Sequence, residues 1–310
     1  MSDRSLEAGT PQVHARTLRA WLYSRFLRSE ALRGFALLSP TLLLMICAMC
    51  LPFGIMVVIS FWTQTGFEFN QGFHLDNYVE FAERPAYRVL LIRSLVISAA
   101  CTFATVLLSY PMAYYVAFHV HKHKMAWLIL MTLPFWTSYL LRIFAWKIVL
   151  GFNGVINSGL MALGVIDQPL EFLLYSPSSV VVTLTHAWAA FAILPIYVSL
   201  EKIDRSLLEA ATDLGDGPAK RFFGVTLPLS LPGVIAASLM IFIPTVGDFV
   251  TPAMVGGPDG LMIANIIQAQ FGVVNNWPRG AALALTMMVT ITTVSLVYIW
   301  ATRRLTGRVS

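Results

Sequence analysis

The sequence predicts an all-α integral membrane protein with six transmembrane helices. Three observations predict it: 57% hydrophobic residues against 12% charged over 310 residues, a mean hydropathy of +0.71, and charges clustered between long uncharged tracts. The 16 acidic and 21 basic side chains are too few to coat soluble domains of this size, which excludes a soluble globular or disordered chain. The net charge of +5 points to membrane topology and not to nucleic acid, because the basic residues flank apolar tracts instead of forming a patch.

About 20 apolar residues cross roughly 30 Å of hydrocarbon, so the uncharged tracts delimit the spans. The first runs from Gly34 toward Gln64, the second from Ser94 to Phe118, and the third from Met125 to Leu141 or past Arg142 to Leu150. The fourth lies within Phe172 to Leu200, the fifth within Phe222 to Gly247, and the sixth within Gly280 to Thr302. The tracts are continuous and do not alternate, which predicts helices and excludes barrel strands. The tail before Gly34, with Arg4, Arg16, Arg19, Arg25, Arg28 and Arg33, is too long and polar for a cleavable signal.

Six spans place both ends on one side. The loops at Phe67 to Arg93, Arg142 to Glu171 and Asp248 to Arg279 hold six basic against eight acidic residues, and the other loops and tails hold the remaining basic ones. The positive-inside rule then predicts cytoplasmic termini. The expected organisation is a basic cytoplasmic tail over 1–34, a permeation domain over 35–302 with a cytoplasmic loop at 202–228, and a cytoplasmic tail at 303–310. Cys47, Cys50 and Cys101 lie in apolar stretches and read as packing residues, and the run from His119 to Lys124 reads as a basic loop, so no metal ligands are expected. Prolines at 40, 52, 111, 134, 195, 232 and 244 interrupt the helix ladder in five spans, which suits helices lining a pathway.

The 202–228 loop reads as two short helices. Ser206 and Glu209 have capping-box spacing, Gly215 suits a left-handed C-cap, and Gly217-Pro218 places proline at the start of the next helix. Leu207, Leu208 and Ala211 share a face, an apolar edge that asks for a partner protein.

Glu209-Ala210-Ala211, three residues to Gly215, and nine to Val225-Thr226-Leu227-Pro228 resemble the EAA loop of ABC importer permeases, with valine where the family pattern has isoleucine. Leu133 to Arg142, Asn153 to Asn157, Gly247 to Pro252, Gly256 to Met262 and Asn276 to Ala281 extend the resemblance to the spermidine/putrescine permeases of the PotB and PotH type. The resemblance implies a type I ABC importer permease fold in the bacterial inner membrane. It also implies three kinds of partner: a cytoplasmic ABC ATPase dimer, a second, homologous permease subunit and a periplasmic substrate-binding protein, with lipid around the spans. By the same resemblance Ser206, Leu207, Leu208, Glu209, Ala210, Ala211, Gly215, Leu227 and Pro228 transmit ATPase motion. No phosphate-binding Gly-x-x-x-x-Gly-Lys-Ser/Thr loop occurs, so the chain is not expected to be an enzyme or to hold a cofactor; ATP and Mg belong to the partner.

A cation crossing the bilayer needs negative charge and ring faces. Asp248 and Phe249, at the end of the fifth span, together with Trp136, Tyr139 and Trp188, are the candidates. Asp248 could equally mark the outer end of the span or pair with Arg142 or Lys147, and His186 reads as a packing residue. Related permeases also carry other small amines, amino acids and phosphonates. The rival class is an ion-coupled secondary transporter, which needs no docking helix and is disfavoured by the lack of an inverted repeat.

Overall fold

The computed structural model describes residues 30–306. By internal contacts the chain divides into residues 1–58 and 59–310, taken in turn. The first holds all but the last two residues of helix α1 (Glu30–Ser60), which carries Pro40 and Pro52 without a break in the helix. At about 1.5 Å per residue, its 31 residues are long enough to cross a bilayer.

In the second unit a two-stranded hairpin, β1 (Thr63–Thr65) and β2 (Glu68–Asn70), follows, a strand element that continuous apolar tracts do not announce. Gln64 ties the hairpin to the far end of the chain: its side chain donates to the Asn275 carbonyl and accepts from the Trp277 amide. Helix α2 (Asp76–Glu83) is held by Asn77, whose amide donates to the carbonyls of Ser60 and Trp62. Glu80 bridges Arg84 and Arg279, both at 2.8 Å.

The core is formed by α3 (Pro85–Phe118), α7 (Pro177–Glu201) and α10 (Leu227–Val246), whose buried side chains include Ile97, Leu184, Ile193, Ile196 and Ile241. Helix α3 begins nine residues before the tract read from sequence, because Arg88 and Arg93 end the apolar run without ending the helix. One side of α3 is a stripe of small hydroxyl residues, Ser94, Ser98, Thr102, Thr105 and Ser109, all buried. Their size lets neighbouring helices approach, and the hydroxyls of Ser94, Thr102, Thr105 and Ser109 bond to backbone in place of the water that lipid cannot supply. Thus Ser94 accepts from the Ile263 amide at 2.8 Å, and Ser109 donates to the Ala189 carbonyl. Gly233 does the same work between α7 and α10, where a Cβ would overlap the Pro195 carbonyl and the Ser199 side chain.

Among the described residues, five helices are long and apolar enough to cross a membrane: Gly34–Ser60, Pro85–Phe118, Pro177–Glu201, Pro218–Val246 and Trp277–Thr302, the last lying within α13 (Trp277–Thr306). The third predicted span is not one rod. Helix α4 (Lys124–Thr132) runs into a tight turn at Leu133–Trp136, and α5 (Tyr139–Val149) leaves it at 83°. Pro134 sits in the turn, and extended backbone at Thr137 and Ser138 separates the halves. Counted as one broken crossing, this pair makes six. The segment after it holds the short helix α6 (Val155–Ala162), and the one after α10 holds α11 (Gly257–Gly260) and α12 (Ile263–Phe271).

Candidate functional site

The 202–228 segment contains α8 (Arg205–Asp213) and α9 (Pro218–Arg221). The cap of α8 is Asp204, not Ser206: an Asp204 carboxylate oxygen accepts from the Ser206 amide at 3.0 Å, so the Ser206/Glu209 capping box is not formed. Both residues are cap formers, and the carboxylate has the added advantage of negative charge at a helix N-terminus. The Ser206 amide and hydroxyl hold the Asp204 carboxyl below its ordinary range.

The other end is as the sequence indicates. Gly215 has φ +86°, its amide donates to the Thr212 carbonyl, and the Asp216 amide donates to Ala211, the paired bonds of a Schellman C-cap. Gly217 caps α9 with Pro218 at its first position. The second short helix does not stop there: it passes through one wide π-helical turn at Phe222–Thr226 directly into α10, so Leu227 and Pro228 belong to the membrane helix and are half-buried.

The three apolar residues of α8 do not form one exposed edge. Ala211 is buried, Leu208 half-buried, and Leu207 is 47% exposed, whereas Ser206, Glu209, Ala210 and Gly215 are exposed. Ala211 faces inward because α8 lies against the chain's own π turn. Leu207 lines a groove of about 580 Å³ with Pro195, Val198, Leu229 and Pro232, while Leu208 and Glu209 line one of about 240 Å³ with Tyr114 and Phe118. Arg221 donates to the Thr212 hydroxyl at 2.8 Å, and Lys220 pairs with Asp216 at 2.5 Å, so α8 and α9 are tied together. Phe222 meets Tyr110 and Tyr114 edge-on, and Tyr110 and Ser230 share a hydrogen bond, which links this segment to α3. Lys124 adds a bracket, reaching both the Ala117 carbonyl and Glu201.

The second site lies at the broken crossing. The Tyr139 hydroxyl, on the first residue of α5, donates to Asp248 at 2.6 Å and shares a hydrogen bond with Thr251 at 2.7 Å. The other Asp248 oxygen accepts from the Val250 amide at 2.9 Å and, more weakly, from that of Thr251 at 3.3 Å. Asp248 therefore joins α5 to the helical turn that leads into α11, and it makes no ion pair with Arg142 or Lys147. Arg142 instead sits 5.2 Å from the centre of the Phe135 ring and 5.8 Å from that of Tyr139, donating to the Ala187 carbonyl at 3.2 Å. Lys147 lies 5.8 Å from the Tyr175 ring. His186 stacks on Phe135 and meets Trp146 edge-on, as a packing residue would.

Of the sequence candidates, Tyr139 and Asp248 come together and the others do not join them. Trp136 is 82% exposed, Phe249 lines a separate cavity of about 440 Å³ with Ile267 and Phe271, and Trp188 packs at a tilt against Phe191. Sequence reasoning missed Phe135 and Thr251, which no local pattern distinguishes, and Asp204, which an Asp two residues before Ser206 does signal.

Residues 26–310 match the family described as binding-protein-dependent transport system inner membrane component. The chain is 37% identical over 260 residues to the spermidine/putrescine transport system permease protein PotB of Escherichia coli (strain K12), covering 84% of this chain and 94% of that one. PotB of Haemophilus influenzae is 34% identical over 260 residues, 84% and 90% of the two chains. Among solved structures, a bacterial alginate ABC transporter in complex with an alginate pentasaccharide-bound periplasmic protein aligns with a TM-score of 0.71 over 92% of this chain and 98% of that one; at 16% identity this shows the fold alone. The chain thus has the type I ABC importer permease fold and belongs, as a multi-pass inner-membrane protein, to the family of binding-protein-dependent transport system inner membrane components.

Proposed function

We propose that this chain is the permease subunit of a polyamine importer, carrying spermidine or putrescine across the inner membrane. The substrate class rests on one observation, the likeness to PotB over nearly that protein's whole length. The Tyr139–Asp248 pair is consistent with it, because it holds a carboxylate beside ring faces at a broken crossing, where a cationic amine needs both. A separate ATPase dimer binds ATP and Mg and hydrolyses the nucleotide, a second homologous permease completes the pathway, and a periplasmic binding protein delivers substrate. In this reading ATP and Mg stay with the ATPase and this chain needs no cofactor of its own. Helix α8, with Leu207, Leu208 and Glu209 toward its grooves, docks on the ATPase, and the Schellman turn at Gly215 passes the motion to α9 and the fifth membrane helix.

The orientation that this role requires puts both termini and the 202–228 segment in the cytoplasm, as the basic residues indicate. Single cysteines at Lys220 and Asp259, in a background lacking Cys47, Cys50 and Cys101, test it with a membrane-impermeant thiol reagent on whole cells. Labelling is expected at 259 alone; labelling at 220 would reverse the topology.

The function is tested by expressing the chain with its ATPase and second permease in cells lacking polyamine uptake. Labelled spermidine should enter, the ATPase should co-purify with the chain, and uptake should persist when the proton gradient is collapsed and ATP maintained. Uptake that follows the gradient, or competition by amino acids or phosphonates but not by polyamines, would overturn the reading.

A further inference from the structure

The side chain that the function does not absorb is Arg142. It lies in the first turn of α5, inside the broken crossing, and none of the described carboxylates comes within 4 Å of it. Its Nε is buried with no hydrogen-bond partner, and only the Ala187 carbonyl accepts from its Nη1. An intramembrane arginine ordinarily pairs with an acid, and one left unpaired is costly. The nearby acid is engaged elsewhere: the Tyr139 hydroxyl holds one Asp248 oxygen and backbone amides hold the other. What surrounds the guanidinium is therefore two ring faces, Phe135 and Tyr139, with the rings of Trp146 and His186 beyond. Rings of this kind, next to a hydrogen-bonded carboxylate, are what an ammonium group would occupy.

We infer that Arg142 is a tethered competitor for the cationic substrate. It fills the ring faces between substrate molecules, lowers the affinity of the site for an ammonium group, and so lets the substrate leave instead of lodging there. Conduction through any site requires binding that is strong enough for entry and weak enough for exit, and a cation built into the wall sets that balance. The inference rests on the polyamine reading.

The test uses the purified complex of both permeases and the ATPase, without the binding protein. Binding of labelled spermidine is measured by equilibrium dialysis, and ATP-driven uptake is measured in proteoliposomes from the same preparation with the binding protein added. Arg142→Gln and Arg142→Met should bind spermidine about tenfold more tightly, the order expected when a competing cation–π contact is removed, while maximal uptake falls. Arg142→Lys keeps the charge and should bind as the wild type does. Unchanged or weaker binding by the Gln and Met variants, with wild-type spermidine uptake intact, overturns this inference alone. If both variants fail to assemble, Arg142 is a structural residue and the inference is equally overturned. Wild-type complex that takes up no polyamine would overturn the polyamine reading instead.

Discussion

The 202–228 segment and the Tyr139–Asp248 site are built by opposite means. In the first, the contacts that cap α8 and make the turn into α9 close within a few residues: Asp204 to Ser206, Gly215 to Thr212, Asp216 to Ala211, Lys220 to Asp216. In the second, the decisive hydrogen bonds join residues 109 and 112 positions apart. Short-range construction makes a stiff unit that can carry motion without being reshaped, whereas a site assembled across helices changes whenever those helices move. A coupling element and a substrate pathway need those two different properties.

The largest expected effect comes from the rigid end. A Cβ at Gly215 would meet nothing within 4 Å, whereas its φ of +86° disfavours any L side chain, so a substitution there is opposed by backbone strain. Holding a β-branched residue at φ +86° costs about 1 to 3 kcal/mol, enough to open the Schellman turn and misdirect α8. Gly215→Val should abolish spermidine uptake at normal membrane abundance, and Gly215→Asn, which tolerates the left-handed region, should retain most of it. Normal uptake by the valine variant would remove the coupling role.

A smaller effect is expected at the cross-helix site. Asp248→Asn keeps the shape and an acceptor oxygen for the Val250 amide but loses the charge. Uptake should fall about tenfold, near 1.4 kcal/mol, with little change in abundance. Loss of abundance instead would mean that Asp248 serves only to join α5 to the following helical turn.

The smallest effect concerns pH. The Asp204 carboxyl is held below its ordinary value by the Ser206 amide and hydroxyl, so its cap stabilises α8 above the usual carboxylate range and is lost as pH falls through the lowered value. Hydrogen exchange at the Ser206 amide, corrected for its intrinsic rate, should speed up on acidification in the wild type. In Asp204→Asn, whose amide oxygen accepts without titrating, protection should not change with pH. An unchanged wild-type profile would show that the cap contributes nothing to the helix.

The same contrast explains which features are legible in the sequence. The spans and the Gly215 and Gly217-Pro218 punctuation are local in chain, and hydropathy and backbone preference report them directly. Where two cap formers stood two residues apart, as at Asp204 and Ser206, spacing favoured the serine box and the carboxylate formed the cap. The 83° break was foreshadowed by Pro134, yet a proline does not state an angle; Pro111 and Pro195 lie in helices that continue. Tyr139 and Asp248 are both candidates from sequence, but their bond is not legible there, because pairing across 109 residues leaves no periodicity. Phe135 and Arg142 owe their meeting to the turn between α4 and α5, which charge and hydropathy do not encode.

The division of labour between the two regions is tested most directly by measuring ATP hydrolysis and spermidine uptake on the same proteoliposomes, with the binding protein present, for Gly215→Val and Asp248→Asn. The coupling variant should lose uptake together with the binding-protein stimulation of hydrolysis, whereas the pathway variant should lose uptake and keep that stimulation. Identical patterns in the two variants, or stimulated hydrolysis that survives only in Gly215→Val, would contradict the assignment of coupling to one region and substrate passage to the other.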